Sequence, residues 1–191
     1  MNYNKIIIYV VVSFLINNCS YYSFKGSTPA HIKSISISPI INHSTEGTFS
    51  SDIANSFNEL LIKENIFEIL DLYESDSKLD IIVNSVTDKP NIYTSDGSSY
   101  EKVEEWKLMT NITLRWHDLK NDEVLISKDF SEWSTYNAFG IDISLDGIDN
   151  DLDGLIDGED SDEFGAPREG ALRIIVEKVS KRIISELTST W

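Results

Sequence analysis

Alternation of apolar and polar residues marks several segments of the chain, and a period of two is typical of β-strands with one buried face. Residues 31–40 alternate isoleucine with serine, and residues 78–88 place an apolar residue at positions 79, 81 and 83. The longest alternation covers residues 104–118, where every second residue from 106 to 116 is apolar or threonine and those between are mostly polar. This pattern predicts an antiparallel sheet that is covered on one side only.

The partner of the longest strand follows directly after it. Residues 118–123 are rich in turn formers, and residues 124–136 then alternate again. The alternation slips between Phe130 and Trp133, which predicts a β-bulge at that point. Residues 66–70 are a candidate for one further short strand, so the sheet has four strands, or five with this segment.

Two other segments repeat apolar residues with the period of an α-helix. The first covers residues 52–64, and its apolar stripe consists of Ile53, Phe57, Leu60 and Leu61. Ser50 or Ser51 is its predicted N-cap, and Asn65 is its predicted left-handed end. The second begins at Pro167, in the first turn, which needs no amide donor. Its stripe consists of Leu172, Ile175, Val176, Val179, Ile183 and Leu187.

The order of these elements is β-α-β-β-β-α. An amphipathic helix and a half-buried sheet each need a partner for their apolar side. We therefore predict an α+β fold in which two helices pack on one face of a mostly antiparallel sheet.

The N-terminus has the composition of a signal peptide. Lys5 precedes an apolar run over residues 6–16, which is too short for a membrane-spanning helix. A core strand is the alternative, but a run this close to Met1 favours export. We assign residues 1–18 to a signal peptide.

Cys19 is the only cysteine and follows the apolar run by three residues. It therefore cannot form an internal disulfide, and its position is similar to that of the acylated cysteine of bacterial lipoproteins. A free thiol left by ordinary signal cleavage is the alternative. With acylation, residues 19–29 form a lipidated tether and residues 30–191 a single domain, anchored to a membrane through its N-terminal lipid.

The charge is strongly acidic and unevenly distributed. The chain has 16 basic and 32 acidic residues, and its net charge is −16. Residues 142–163 hold eight Asp and two Glu without a basic residue, so the rest of the chain carries only −6. A chain with this net negative charge repels the phosphates of nucleic acids, so we expect no nucleic acid partner.

The acidic segment, an insertion at about residues 142–165, has the spacing of a calcium loop. Its D-x-D-x-D-G core can turn alternate carboxylates toward one hard cation. The predicted Ca²⁺ ligands are Asp149, Asp151, Asp153, Asp157 and Asp160. The flanks are not those of an EF-hand, and the segment resembles a single calcium loop of the thrombospondin type 3 kind. A solvated acidic run is the alternative. We expect a structural role for the ion, such as fixing where the last helix starts.

Most of residues 19–136 and 167–191 resemble the lipopolysaccharide-assembly lipoproteins (LptE). The resemblance is carried by the cysteine with its aromatic tether, "CSYYSFKGS", by the first strand "PAHIKSISISPI" and the segment "NHSTEGTFSSDIANSFNELLIKENIFEIL", and by the final helix "ALRIIVEKVSKRIISELTSTW". No single motif is diagnostic, and the order of the parts carries the similarity.

The resemblance implies an outer-membrane lipoprotein that faces the periplasm. Members of this family sit as a plug inside an LptD-like β-barrel translocon and help it deliver lipopolysaccharide. The family is not enzymatic, and the sequence contains no familiar catalytic motif, so we expect no enzyme activity and no catalytic residues. Lys107 and Arg115 are candidate lipopolysaccharide contacts or simply a solvated strand face, and we assign no lipid-binding residue.

A second interpretation stays open. The protein would be a surface or periplasmic calcium-binding lipoprotein that acts in adhesion or as an interaction module, and the family resemblance would then be limited to the fold. Only the first interpretation requires a large barrel as partner.

Overall fold

The computed structural model describes residues 29–95, 97, 101–138, 145, 147, 149, 154–156, 159 and 164–189. Two helices and a mostly antiparallel sheet confirm the predicted α+β class. The elements are β1 (Ser34–Ile37), β2 (Ile41–Asn42), α1 (Phe49–Glu64), β3 (Glu68–Ile69), β4 (Ser77–Thr94), β5 (Lys102–Asp118), β6 (Glu123–Asn137) and α2 (Pro167–Thr188). The sheet has six strands, one more than the larger predicted number, because β2 is a two-residue strand within an expected loop.

The sheet combines parallel and antiparallel pairs. Its strand order is β3-β1-β4-β5-β6, and β2 also pairs with β4. β1 runs parallel to β3 and β4, and the long strand β5 runs antiparallel to both of its neighbours, β4 and β6. Parallel neighbours need a crossover connection, and α1 lies in the one between β1 and β3.

One face of the sheet and both helices enclose a single hydrophobic core. α1 contributes Phe49, Ile53, Phe57 and Leu61, and α2 contributes Ala171, Ile175, Val179, Ile183 and Leu187. The strands contribute their alternate residues, among them Ile35, Leu79, Ile81, Leu108, Ile112, Leu114 and Trp116. Phe67 meets the Trp116 ring edge-on at 5.7 Å between centroids. Most residues of the predicted apolar stripes are therefore buried, while Leu60, Leu172 and Val176 are half-buried.

The end of α1 is as predicted, and its start is not. Asn65 adopts the left-handed conformation with φ 49° and ψ 47°. The N-cap is Thr48, with no capping hydrogen bond from its side chain, so the predicted cap at Ser50 or Ser51 is wrong. Phe49 is buried and extends the apolar stripe by one turn, which places both serines inside the helix.

Two strand predictions are also corrected. The bulge expected between Phe130 and Trp133 is absent, since the register runs evenly from Ile112↔Phe130 to Met109↔Trp133. The two aromatic residues lie on opposite faces, so both fit one regular strand. β4 continues beyond residue 88 to Thr94, through Pro90. There β4 pairs only with β5 in the described part of the sheet, and a free edge tolerates proline because no ladder hydrogen bond is lost.

Candidate functional site

The structure describes the acidic loop at separate positions. Asp149 accepts a hydrogen bond from the Gly154 amide through Oδ2 at 2.9 Å. Gly154 has a φ of +99°, a conformation that glycine adopts without strain. The loop therefore bends at the glycine of the D-x-D-x-D-G pattern and folds back on its first predicted ligand.

The remaining predicted ligands, Asp151, Asp153, Asp157 and Asp160, lie outside the described residues, as does Cys19. Within the residues that are described, no three metal-ligating side chains come together. The donor chemistry still suits calcium, which prefers hard oxygen ligands. A carboxylate has two oxygens, so the hydrogen bond to Gly154 is compatible with a ligand role for Asp149.

The loop rejoins the domain through a defined contact at Phe164. The Arg173 guanidinium lies 4.3 Å from the centre of the Phe164 ring, and its Nη2 donates to the Phe164 carbonyl. Gly165 then turns the chain into α2 with a φ of +88°. A Cβ at this position would lie 3.0 Å from Glu169 Oε2, the mobile end of a flexible side chain, so the backbone conformation is what favours glycine.

Arg168, in the first turn of α2, holds the start of this helix against the sheet. Its Nε and Nη2 donate to both oxygens of Asp88 on β4, and Nη2 also donates to Glu46 Oε1 at 2.6 Å. The Tyr136 hydroxyl on β6 donates to Asp88 at 2.8 Å. We call Arg168, Asp88, Glu46 and Tyr136 the Arg168 cluster. It joins the end of the acidic segment to three other parts of the domain.

The electrostatics of the Arg168 cluster favour its charged form. Hydrogen bonds to Glu46 and Asp88 outweigh the effect of burial and raise the pKa of Arg168 above its ordinary value. Burial, together with the neighbouring Asp88 carboxylate, raises the pKa of Tyr136 to about 12, so its hydroxyl remains a donor. Sequence reasoning missed the cluster because its members are far apart in the chain. The one available signal was an arginine in a first helical turn, where acidic residues are preferred.

At the other end of the sheet, Asp118 organises the β5–β6 turn and the start of the domain. It accepts hydrogen bonds from the amides of Lys120 and Asn121, from the Asn121 side chain and from His31 Nε2, the last at 2.5 Å. Burial alone would raise the pKa of Asp118, but these donors outweigh it and lower the pKa to about 2. We call this the tether end, because the chain enters the domain here.

Two rows of side-chain hydrogen bonds cross the face of the sheet that neither described helix covers, which we call the helix-free face. In one, Asn84 donates to Thr113, which donates to Asp129. The other consists of Ser85, Asn111 and Ser131, and each row crosses β4, β5 and β6. Polar side chains therefore make up much of this face, as expected for the uncovered side of the sheet, and the exposed Trp133 ring lies on it as well.

Both basic residues that the sequence singled out lie on this face. Lys107 places its ammonium 3.9 Å from the centre of the Trp133 ring, and Lys178 of α2 reaches the same ring at 5.6 Å. Lys178 also donates to the Trp133 carbonyl at 3.1 Å. Arg115 is exposed on the same strand as Lys107. Lys107 is therefore engaged within the domain.

Comparison with known proteins finds similarity at the level of shape. No family model and no curated protein matches the sequence. Similar solved structures include an uncharacterized lipoprotein from Nitrosomonas europaea, with 14% identity, 82% of this chain and 83% of that chain covered, and a TM-score of 0.49. A lipoprotein from Neisseria meningitidis has 14% identity and a TM-score of 0.42, with 80% of this chain and 99% of that chain covered. A minor lipoprotein from Acinetobacter baumannii has 10% identity and a TM-score of 0.43, with 82% of this chain and 92% of that chain covered.

All three of these similar structures are of bacterial lipoproteins. In this chain, neither described helix is long and apolar enough to cross a bilayer.

Proposed function

We propose that the protein is a lipoprotein acylated at Cys19 and anchored in the outer membrane, with its domain facing the periplasm. The support is the charged start, the apolar run and the single cysteine in that order, followed by a domain that begins within about ten residues. The lipid supplies the attachment, so the domain needs no membrane span of its own.

Its task is to partner an outer-membrane β-barrel translocon in the assembly of lipopolysaccharide. The observation that carries this proposal is the polar helix-free face. The lumen of a wide barrel is lined by polar side chains, and a plug must satisfy them by hydrogen bonding. The two rows through Thr113 and Asn111 offer donors and acceptors of this kind, held in fixed positions across three strands.

The acidic loop binds Ca²⁺ in a structural role under this proposal. Asp149, Asp151, Asp153, Asp157 and Asp160 supply the oxygen ligands, and the ion offsets the repulsion among ten acidic residues that have no basic neighbour in the segment. Support comes from the bend at Gly154 and from the anchoring of the loop's exit by Phe164 and Arg168. Calcium would hold these carboxylates together between β6 and α2, next to the Arg168 cluster at the start of α2.

Co-purification tests the partner. The full-length, acylated chain is recovered from detergent-solubilised outer membranes, with a Cys19→Ser variant as the unacylated control. We expect a large barrel to be recovered in stoichiometric amount with the acylated chain. Recovery of the acylated chain without any barrel would contradict the proposed role.

Calorimetry tests the ion. An Asp149→Ala/Asp151→Ala variant should lose the heat of calcium binding, because two hard ligands are removed. The matched control is Glu159→Ala/Asp162→Ala, which removes the same charge from the same segment but no predicted ligand, and it should bind calcium nearly as the parent does. Equal heats of calcium binding for the parent and the Asp149→Ala/Asp151→Ala variant would show that the proposed site does not exist.

The adhesion or interaction module remains the second candidate function, and the acidic loop is the observation that favours it. A bound calcium ion would hold the carboxylates of the loop in one arrangement that a partner could contact. In that case calcium would be required for partner capture, and the captured partner would not be a barrel.

A further inference from the structure

One group of exposed apolar side chains lies at the tether end. Tyr73 is 98% exposed, and Leu72 and Leu119 are 44% and 40% exposed. These three side chains line a shallow groove of about 580 Å³ between the β3–β4 loop and the β5–β6 turn. Ile69 and Val124, which are also exposed, lie in the strands that start at the same end. Solvent exposure of large apolar side chains in one place is typical of a contact surface.

The start of the domain is pinned beside this groove. His31 Nε2 contacts Asp118, which immediately precedes Leu119, and the Lys33 amide donates to Asp76 in the wall of the groove. Cys19 precedes Pro29 by ten residues. Ten residues span at most about 35 Å, so an acyl chain on Cys19 keeps the membrane surface within that distance of the tether end.

We propose that the tether end is a membrane-contacting surface, in which Leu72, Tyr73 and Leu119 enter the headgroup layer of the leaflet that holds the lipid on Cys19. The inference rests only on the lipid attachment within the proposed function and not on the barrel partner. Tyrosine and leucine suit this layer, because an amphipathic ring and an aliphatic chain both gain from the boundary between water and hydrocarbon. The contact would fix how the domain is oriented on its tether.

The charges around the groove decide what drives the contact. Lys78 and Lys120 line the groove, but Lys78 is paired with Asp80 at 2.8 Å. Asp71 and Glu74 are exposed in the same loop as Tyr73. These carboxylates offset the attraction of the two lysines to anionic lipid, so insertion of the apolar side chains drives the contact. The contact should form on zwitterionic lipid and should not strengthen when anionic lipid is added.

Hydrogen exchange on tethered protein tests the contact. The processed chain beginning at Cys19 is coupled through that thiol, the only one present, to maleimide lipid in vesicles of phosphatidylcholine and phosphatidylethanolamine. The reference is the same chain coupled to a soluble maleimide. We expect the amides of residues 71–75 to exchange about tenfold more slowly on vesicles, the factor expected if burial of these side chains stabilises the contact by roughly 1.4 kcal/mol. Adding phosphatidylglycerol should leave this factor unchanged.

Two matched variants complete the test. Leu72→Ser/Tyr73→Ser should abolish the protection, and Ile92→Ser/Tyr93→Ser should keep it. In this control pair, Tyr93 matches Tyr73 and Ile92 is similar to Leu72, and both side chains are exposed. They lie near the far end of the 18-residue strand β4, roughly 55 Å from the groove.

Equal exchange at residues 71–75 on vesicles and in solution would overturn the inference, as would protection that survives Leu72→Ser/Tyr73→Ser. Because the coupling supplies the lipid chemically, this result is independent of whether cells acylate Cys19. Acylation of Cys19 in cells is measured separately, from the mass of the N-terminal peptide of the protein purified from cells.

Discussion

Asp118 is a buried carboxylate whose side chain is only 1% exposed, yet it stays ionised because four donors surround it. Hydrogen bonds to a charged group are stronger than those between neutral groups, and a buried group that loses them leaves its partners unsatisfied. One residue thus ties the β5–β6 turn to the start of the domain.

Substitution Asp118→Asn should destabilise the protein by about 2 kcal/mol, because the neutral amide forfeits the charge-assisted bonds from His31 and the turn amides. Chemical denaturation of the purified domain measures this change. Asp122→Asn is the matched control in the same turn. Asp122 is exposed with a φ of 53°, a conformation that asparagine also tolerates, so its effect should stay within about 0.5 kcal/mol. Equal effects of the two variants would contradict this role.

The pH dependence of stability follows from the same carboxylate. A folded-state pKa below the ordinary 3.8 stabilises the protein above pH 3.8, and the contribution is lost as pH falls toward about 2. The pKa values of Asp76, Asp80 and Glu186 are also lowered and act in the same direction. The stability gap between the parent and Asp118→Asn should therefore narrow with acidification through this window. A constant gap would show that Asp118 is not the titrating group.

Arg168 is the corresponding residue at the opposite end of the sheet. Arg168→Ala should destabilise the protein by about 2 kcal/mol, because it leaves Asp88 and Glu46 without their cation in a partly buried place. The control is Arg182→Ala in the same helix, where the arginine pairs with Glu186 one turn further on. This change should lower the free energy of unfolding by less than about 1 kcal/mol. Thermal unfolding of both variants provides the comparison, and a larger loss for Arg182→Ala would be inconsistent with the cluster's role.

Among the elements, α2 contributes a continuous stripe to the core while its other side meets water. Ile175→Ala should destabilise the protein by about 3 kcal/mol through the lost burial and the cavity left behind. Ile62→Ala in α1 removes the same atoms from a side chain that is 71% exposed, and it should change stability by less than about 0.5 kcal/mol. Denaturant titration of the two variants checks the layer arrangement, which would be wrong if both changes were small.

The elements were predictable to the extent that periodicity controls them. The stripe through Ile53, Phe57 and Leu61 and the alternation through Leu108, Ile112 and Leu114 report burial on one side, and the structure confirms both. The predicted bulge failed because Phe130 and Trp133 were assumed to share a face. Trp133 instead lies outside the core, where Lys107 and Lys178 contact its exposed ring. β2 was missed because two residues are too few to show a period.

The features of the candidate site also divide into those that the sequence predicts and those that it does not. The calcium ligands and Cys19 were predictable because local spacing defines such motifs, and all of them remain predictions. At Asp149 the structure shows a hydrogen bond from the Gly154 amide and no ligand role. The Arg168 cluster and the apolar groove at Tyr73 could not be predicted, since both depend on which distant segments the sheet topology brings together.

At the scale of the whole molecule, the domain has two distinct ends and one open face. The start of the domain at His31, the Asp118 turn and the groove lie at one end, and the Arg168 cluster lies toward the other. The polar rows lie on the face that neither described helix covers. A lipid on Cys19 would orient the domain, and this leaves the polar face as the surface available to a barrel.

Site-specific photo-crosslinking in living cells tests this account most directly. A photoreactive phenylalanine analogue is placed on the helix-free face at Arg115 or Ser131, and, as a control, on the outer side of α2 at Glu177; all three positions are solvent-accessible. We predict that the two positions on the sheet face give a crosslink to one large outer-membrane barrel and that position 177 gives less of it or none. Crosslinks to a barrel from none of the three positions, or from position 177 alone, would contradict the account.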